Sequence, residues 1–273
     1  MNLIEVVARR TKRALKLSDD SALVCAIRPR YDSVLQYLYG RRGLGRKIHG
    51  EEPIRLLPCA RLTPEDYEPQ VVTLLKRTIK RGFVILDVGS NVGVLAILMA
   101  RWCGPKGHVH AFEPSPNPRQ VMTEHIHLNG VANRITVSPS ALSDVEGVTT
   151  FYGAGISGKS GLSKETMGMA ADQFEVPVTT IDAYCRTLNI EPTLIKIDVE
   201  GFEFSVLNGA RNTLKKFHPS VLVELHPMNW PALGIDSRWA AAQLAVLNYT
   251  VTAVEKQADV FSEHGHVMLE PLQ

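Results

Sequence analysis

The run Asp87-Val88-Gly89-Ser90-Asn91-Val92-Gly93 combines residue types and a spacing that suit a bound small molecule. Gly89 and Gly93 flank a sharp turn after an apolar segment, where a side chain would hold a ligand away from the backbone. Asn91, between them, tolerates a left-handed conformation better than most residues and can replace glycine there. Asp87 ends the apolar segment and can meet an ammonium group or ordered water. Glu113 follows twenty positions after Gly93. A carboxylate at the end of the second strand of such a unit accepts hydrogen bonds from ribose hydroxyls. A dinucleotide turn needs Gly-x-Gly-x-x-Gly so that a pyrophosphate can rest at the helix N-terminus. Here the pattern is Asp-x-Gly-x-Asn-x-Gly, with Ser90-Asn91 in the middle. It fits a nucleoside cofactor without phosphate, S-adenosylmethionine (SAM). Pro114 bends the chain away after Glu113. Ser140 and the Ala141 backbone, after the next strand, are candidates for contacts to adenine.

SAM chemistry is an in-line displacement at a sulfonium. The protein must align acceptor, methyl carbon and sulfur, exclude water and remove the acceptor proton. Alignment contributes on the order of 7–11 kcal/mol, and a general base adds roughly 10²–10⁴-fold for a hydroxyl acceptor. Lys196 and Asp198 share one face of a strand because side chains alternate, and so do Glu224 and His226. His226 has the ordinary pKa best matched to proton transfer. Asp198 and His226 together are the candidates for handling the acceptor, with Lys196 as a substrate contact. Glu200 and Glu203 read as first-turn acids that stabilise a helix dipole. A divalent ion on Asp198, Glu200 and Glu224 is an open alternative, but no ligand spacing demands it and no metal ligand is assigned. His125 and His127 are two apart on a helix and do not share a face. Ser157, Lys159 and Ser160 lie in a Gly/Ser/Met-rich loop and are further candidates for substrate contact.

These residues need strands and helices to hold them. Phe83–Val88, His108–Phe112, Ile135–Ser138, Leu194–Asp198 and Val221–Leu225 are short apolar runs suited to buried parallel strands. Helices are expected over 92–102, 117–129, 200–217 and 237–247, with closing strands at 249–254 and 266–270. Thr63-Pro64-Glu65-Asp66 carries a cap, a proline and two acids, and predicts the start of a helix that Gly82 stops. This alternation predicts an α/β fold: a class I methyltransferase, Rossmann-like, mostly parallel seven-stranded sheet with helices on both faces. Residues 148–180 break the alternation and read as a β-hairpin-like insertion, with strands Val148–Tyr152 and Phe174–Thr179 around a long loop. Residues 1–62 read as a helical and irregular extension, and 63–273 as the SAM-binding domain.

The net charge of +2 over 273 residues gives no case for nucleic-acid binding. The charge is uneven: residues 1–50 carry eleven Lys/Arg against four Asp/Glu. Their basic amphipathic helix suits either plain solvation or weak contact with a membrane surface. Cys25, Cys59, Cys103 and Cys185 are scattered, without a Cys-x-x-Cys pair, which fits a reduced compartment and no zinc site. No apolar run reaches the roughly 20 residues of a membrane span, and the N-terminus lacks secretory features. A cytoplasmic location is the expectation. No feature sets an oligomeric state.

The chain resembles the FkbM-family methyltransferases from about Tyr67 to His226. The likeness runs through YEPQVVTLLKRTIKRG, VILDVGSNVG, VHAFEPSP, HLNG, SALSD, TTIDAYC and LIKIDVEGFEFSVLNGAR, the last segment being the most distinctive. It implies SAM-dependent O-methylation of a hydroxyl on a sugar, a glycoconjugate or a polyketide-like natural product. It also implies that Glu68 reaches the cofactor. Ser90 stands where alanine is common in the family. The first 60 residues take no part in the likeness. An N-methyltransferase and a non-catalytic SAM-fold protein that binds a partner are the alternatives.

Overall fold

The computed structural model describes Val7, Arg10, Thr11, Ala14, Ser18, residue 21, and residues 22–51, 53–153, 160–162 and 172–272. Most of residues 1–20, where the basic amphipathic helix begins, lie outside these residues. The first full element is α1 (Ala22–Tyr39), capped by the Ser21 side chain, which accepts from Val24 N at 3.4 Å. It carries Pro29 within it. Two short antiparallel strands follow, β1 (Leu44–Arg46) and β2 (Ile54–Leu56). Ile48, Ile54 and Leu56 are fully buried and join the same core as Val72, Leu75 and Leu98. Burying each such side chain contributes about 1.5–3 kcal/mol, so this part of the extension is packed into the main domain.

The next helix begins later than Thr63. The chain turns through residues 63–68, where Glu65 O accepts from His49 N at 2.9 Å and Tyr67 O faces His49 Nε2 at 2.9 Å. Those ties hold the segment out of a helix. Glu68 takes a left-handed conformation (φ +43°), and Pro69 supplies the fixed first-turn geometry for α2 (Pro69–Thr78).

The alternating unit follows: β3 (Val84–Val88), α3 (Val94–Cys103), β4 (His108–Phe112), α4 (Pro116–Leu128) and β5 (Ile135–Ser138). Next come β6 (Ala141–Leu142), β7 (Gly147–Gly153), β8 (Ser160–Gly161) and β9 (Asp172–Thr179). Thr180 caps α5 (Ile181–Leu188) by accepting from Ala183 N at 2.9 Å. The chain ends with β10 (Leu194–Ile197), α6 (Glu203–Asn208), α7 (Arg211–Phe217), β11 (Ser220–Leu225), α8 (Ser237–Ala245), β12 (Tyr249–Ala253) and β13 (Gly265–Pro271).

The main sheet has seven strands in the order β5-β4-β3-β10-β11-β13-β12. The first five are parallel, and β13 runs antiparallel to both neighbours. Alternation divides the core. Ile85, Leu194 and Leu222 face α3 on one side, while Leu86, Ile195 and Val223 face Phe204 and Trp230 on the other. The single helix expected over 200–217 is two. Glu200 (φ +52°) and Gly201 (φ +112°) make a turn first, and the chain bends again at Gly209. A Cβ on Gly209 would stand 2.0 Å from the Ser143 carbonyl oxygen, so backbone packs on backbone there. A second sheet, β6-β9-β7-β8, stands beside the first. Its antiparallel β7/β9 pair runs from Gly147↔Val178 to Gly153↔Asp172. Among the described residues no helix is long and apolar enough to cross a membrane.

Candidate active site

The strand order reverses direction between β3 and β10, and a crevice opens at their carboxyl ends. The turn after β3 lines it. Gly89 (φ +81°), Asn91 (φ +49°) and Gly93 (φ +80°) are all left-handed. A Cβ on Gly89 would lie 1.8 Å from the Asp198 carbonyl oxygen, and one on Gly93 2.6 Å from Met122 Cγ. The first glycine lets β3 and β10 meet, and the second seats α3 on α4. Gly89 N and Ser90 N donate to Phe112 O at 3.1 and 3.0 Å, and the Ser90 hydroxyl donates to Asp87 O at 2.7 Å.

Two openings share Gly89, Asn91 and Asp198. The first is lined by Glu113, Pro114, Ser140, Ala141, Phe151 and Phe202. The second lies beside Thr63, Tyr67, Asp87, Ser90 and Lys196. Together they span both sides of the turn, as an elongated nucleoside-amino-acid ligand requires.

Glu113 is buried, and burial pushes its carboxyl pKa up against the lowering effect of its hydrogen bonds. Its Oε2 accepts from Asn91 N and its Oε1 from Ser115 N, both at 2.8 Å. The carboxylate therefore fixes the turn as well as facing the opening. Each oxygen has a second lone pair, which leaves acceptor capacity for a diol.

In the second opening, Lys196 Nζ lies 3.1 Å from Asp198 Oδ2 and 3.8 Å from Asp87 Oδ1, and donates to Gly89 O at 3.2 Å. Burial opposes its charge, but Asp198, Asp87 and Glu68 outweigh that and hold the ammonium above its ordinary range. The residue read as a substrate contact is thus engaged in pinning the turn to both acids. Neither carboxylate oxygen of Asp87 has a hydrogen-bond partner, and neither has Glu68 Oε2, although all are buried. Burial raises the pKa of both acids, countered by Lys196. Buried acceptors without partners mark a place for a donor from outside the chain.

His226 directly follows β11, with its ring buried. Its Nδ1 stands 2.7 Å from Glu203 Oε1. Its Nε2 faces Glu200 Oε2 at 3.5 Å, Glu224 Oε1 at 3.7 Å and Asp198 Oδ1 at 3.9 Å. Burial disfavours the charged ring, but the Glu203 hydrogen bond and the surrounding carboxylates raise its pKa to about 9. The ordinary value expected from sequence does not hold here, because the surrounding carboxylates favour a proton on the ring. Glu203 is not only a first-turn acid. It is fully buried, accepts from Gly201 N at 2.8 Å, and takes Trp230 Nε1 at 3.2 Å.

The structure brings Asp87, Gly89, Ser90, Asn91, Glu113, Pro114, Ser140, Ala141, Lys196 and Asp198 to the crevice, with Glu68 and His226 beside it. Ser157 and Lys159 lie outside the described residues. Ser160 pairs with Gly153 in β8, next to Gly161 and Leu162, which line the first opening. The structure adds Tyr67, Phe151, Trp230, His264 and His266 to the residues expected from the sequence. Tyr67 adjoins Glu68 and was within reach of the motif. The two histidines depend on the β11/β13 register.

The model of the Methyltransferase FkbM domain matches residues 87–268. Hexuronic acid methyltransferase AglP of Haloferax volcanii is 29% identical over 197 residues, covering 70% of this chain and 74% of that protein. The 2-O-methyltransferase NoeI of Sinorhizobium fredii is 29% identical over 164 residues, covering 54% of this chain and 64% of that protein. The crystal structure of methyltransferase FkbM from Methylobacillus flagellatus KT superposes with a TM-score of 0.48 at 17% identity, covering 70% of this chain and 44% of that one.

Proposed function

The chain belongs to the FkbM methyltransferase family, and from that premise we propose that it transfers the methyl group of SAM to a hydroxyl of a sugar or glycoconjugate. It is a SAM-dependent methyltransferase, and its residues fit the cofactor. The orphaned oxygens of Asp87 and Glu68 suit an ammonium group, and the glycine turn leaves room that a Cβ would remove. Glu113 would hold the ribose diol, and Ser140 with the Ala141 backbone would border the base. When bound, SAM supplies an electrophilic methyl on a positively charged sulfur.

The observation that carries the hydroxyl reading is the convergence of Asp198, Glu200 and Glu224 on His226 Nε2 within 3.9 Å at the strand ends. A carbohydrate presents several hydroxyl donors, and carboxylates accept them in pairs. Asp198, half-buried and bordering both openings beside the turn, is the group to receive the acceptor proton as the oxygen–methyl bond forms and the sulfur–methyl bond breaks. His226, held by Glu203, orients that carboxylate. The two relatives whose printed names describe methylation of a hexuronic acid and of a 2-O position support the same class.

Radiolabelled SAM with a panel of sugar nucleotides, uronic acids and glycolipids tests the reading. An oxygen-methylated sugar is expected by NMR of the product. Label found solely on amines overturns it. Single-turnover rates for Asp198→Asn and His226→Ala are expected to fall by roughly 10²–10⁴-fold, and near wild-type rates for both would remove their assigned roles.

A further inference from the structure

The antiparallel register of β11 and β13 sets Glu224 opposite His266 and Leu225 opposite Gly265, which leaves His264 across from His226. Side chains alternate along each strand, so Glu224, His226, His264 and His266 all project from one face, beside Asp198. No sequence spacing shows this, because the two strands are separated by about 40 positions.

We propose that Glu224, His226 and His264 form a divalent transition-metal site whose open positions face the acceptor, a reading whose second half rests on the hydroxyl chemistry proposed above. One ligand atom from each of the three lies within 4.8 Å of the others. Glu224 Oε1 is 2.7 Å from His264 Nε2 and 3.7 Å from His226 Nε2, and the two rings are 5.0 Å apart between centroids. Two imidazoles and one carboxylate are a donor set that first-row divalent ions accept, with further positions left for water or substrate.

Two independent features support an ion rather than a chance cluster. Metal-bound histidines hold their other ring nitrogen in a hydrogen bond, commonly to a carboxylate. His226 does so through Nδ1 and Glu203, at 2.7 Å, and turns Nε2 toward the gap. His266 repeats the arrangement: Nδ1 meets Glu255 Oε1 at 2.8 Å. Its side chain is 7% exposed, and its Nε2 is aimed at Glu224 Oε2, 3.3 Å away, without making a hydrogen bond. A buried ring nitrogen left in that state lies against a carboxylate that an ion would share. An ion bound here would also neutralise the acids gathered around His226 Nε2, and Asp198 Oδ1, at 3.9 Å, stands near enough to border it. An acceptor oxygen on the ion would become more acidic, which is what an aliphatic hydroxyl needs before it attacks.

The test uses the full-length protein, stripped with chelator and then titrated with Mn²⁺ alone and Zn²⁺ alone. Calorimetry is expected to show saturable uptake of about one ion per chain. Pulsed electron paramagnetic resonance of the Mn²⁺ form is expected to show couplings to two imidazole nitrogens. His264→Ala, at an exposed position, should remove one coupling and weaken binding by at least roughly 10–100-fold. Glu224→Gln should weaken it comparably. His127→Ala, an exposed histidine elsewhere, should leave both readouts unchanged. Absence of saturable uptake, or variants that bind like wild type, overturns the site. A protein that takes up the ion as described but methylates only amines upholds the site and overturns the hydroxyl reading.

Discussion

Gly89 and Asp198 meet at the junction of β3 and β10 so closely that the first must be glycine: a methyl group there would overlap the carbonyl oxygen of the second, at 1.8 Å. Gly89 is also left-handed. For Gly89→Ala, the conformational cost of roughly 1–2 kcal/mol and an overpacking cost of roughly 1–3 kcal/mol act together. A lower urea midpoint and loss of measurable SAM binding by calorimetry are expected. Wild-type affinity in this variant would show that the turn does not shape the cofactor crevice.

Glu113 joins the turn to the first opening by accepting from Asn91 N and Ser115 N. In Glu113→Gln the amide nitrogen must face one of those N–H groups. Leaving a buried donor without a partner costs about 1–3 kcal/mol. SAM affinity should fall on the order of 10–100-fold, since one pK-scale decade corresponds to roughly 1.4 kcal/mol, with the chain still folded by circular dichroism. An unchanged dissociation constant would separate Glu113 from the cofactor.

Glu203 binds His226 Nδ1 and Trp230 Nε1 in a fully buried position. Glu203→Ala leaves an imidazole and an indole N–H uncompensated. Removing one partner of such a buried pair costs about 3–5 kcal/mol. Urea denaturation followed by tryptophan fluorescence should register that loss together with reduced methyl transfer. A stability change under about 0.5 kcal/mol, the range of ordinary surface substitutions, would contradict the buried network.

Acid should loosen the join between the extension and the catalytic domain. His125 is fully buried. Its Nε2 accepts from Leu57 N at 2.8 Å and its Nδ1 meets Val92 O at 2.8 Å, an arrangement only the neutral ring satisfies. Burial lowers its pKa, and burial lowers that of His110 to about 4. A histidine with a folded pKa below its unfolded value contributes stability that is complete above about pH 6.5 and is lost as pH falls toward the folded pKa. Urea midpoints should therefore decline between about pH 6.5 and 4, and less steeply in His125→Gln. Equal slopes for the two proteins would dismiss the His125 contribution.

Much of this architecture is legible in the chain because the parallel strands are near-continuous apolar runs. Ile135–Ser138 is found at its expected bounds, and Leu194 to Asp198 differs by one residue. The glycine turn, Glu113 and Asp198 were legible because their chemistry sits at strand ends. The start of α2 was not, because Thr63-Pro64 and Pro69 offer competing caps and backbone ties to the His49 region decide between them. The bend at Gly209 was hidden because its cause is Ser143, far away in the chain. His264 and the raised pKa of His226 were hidden for the same reason: each depends on neighbours from another strand or helix.

The contact between Gly209 and Ser143 has a further consequence. Ser143 N donates to Thr179 O, and Asp182 N to Gly209 O, so backbone atoms clamp both ends of the second sheet against the end of α6. Backbone clamps are indifferent to the side chains between them. Strands β7 and β9 can therefore vary in side chain while their junctions with the main sheet stay fixed.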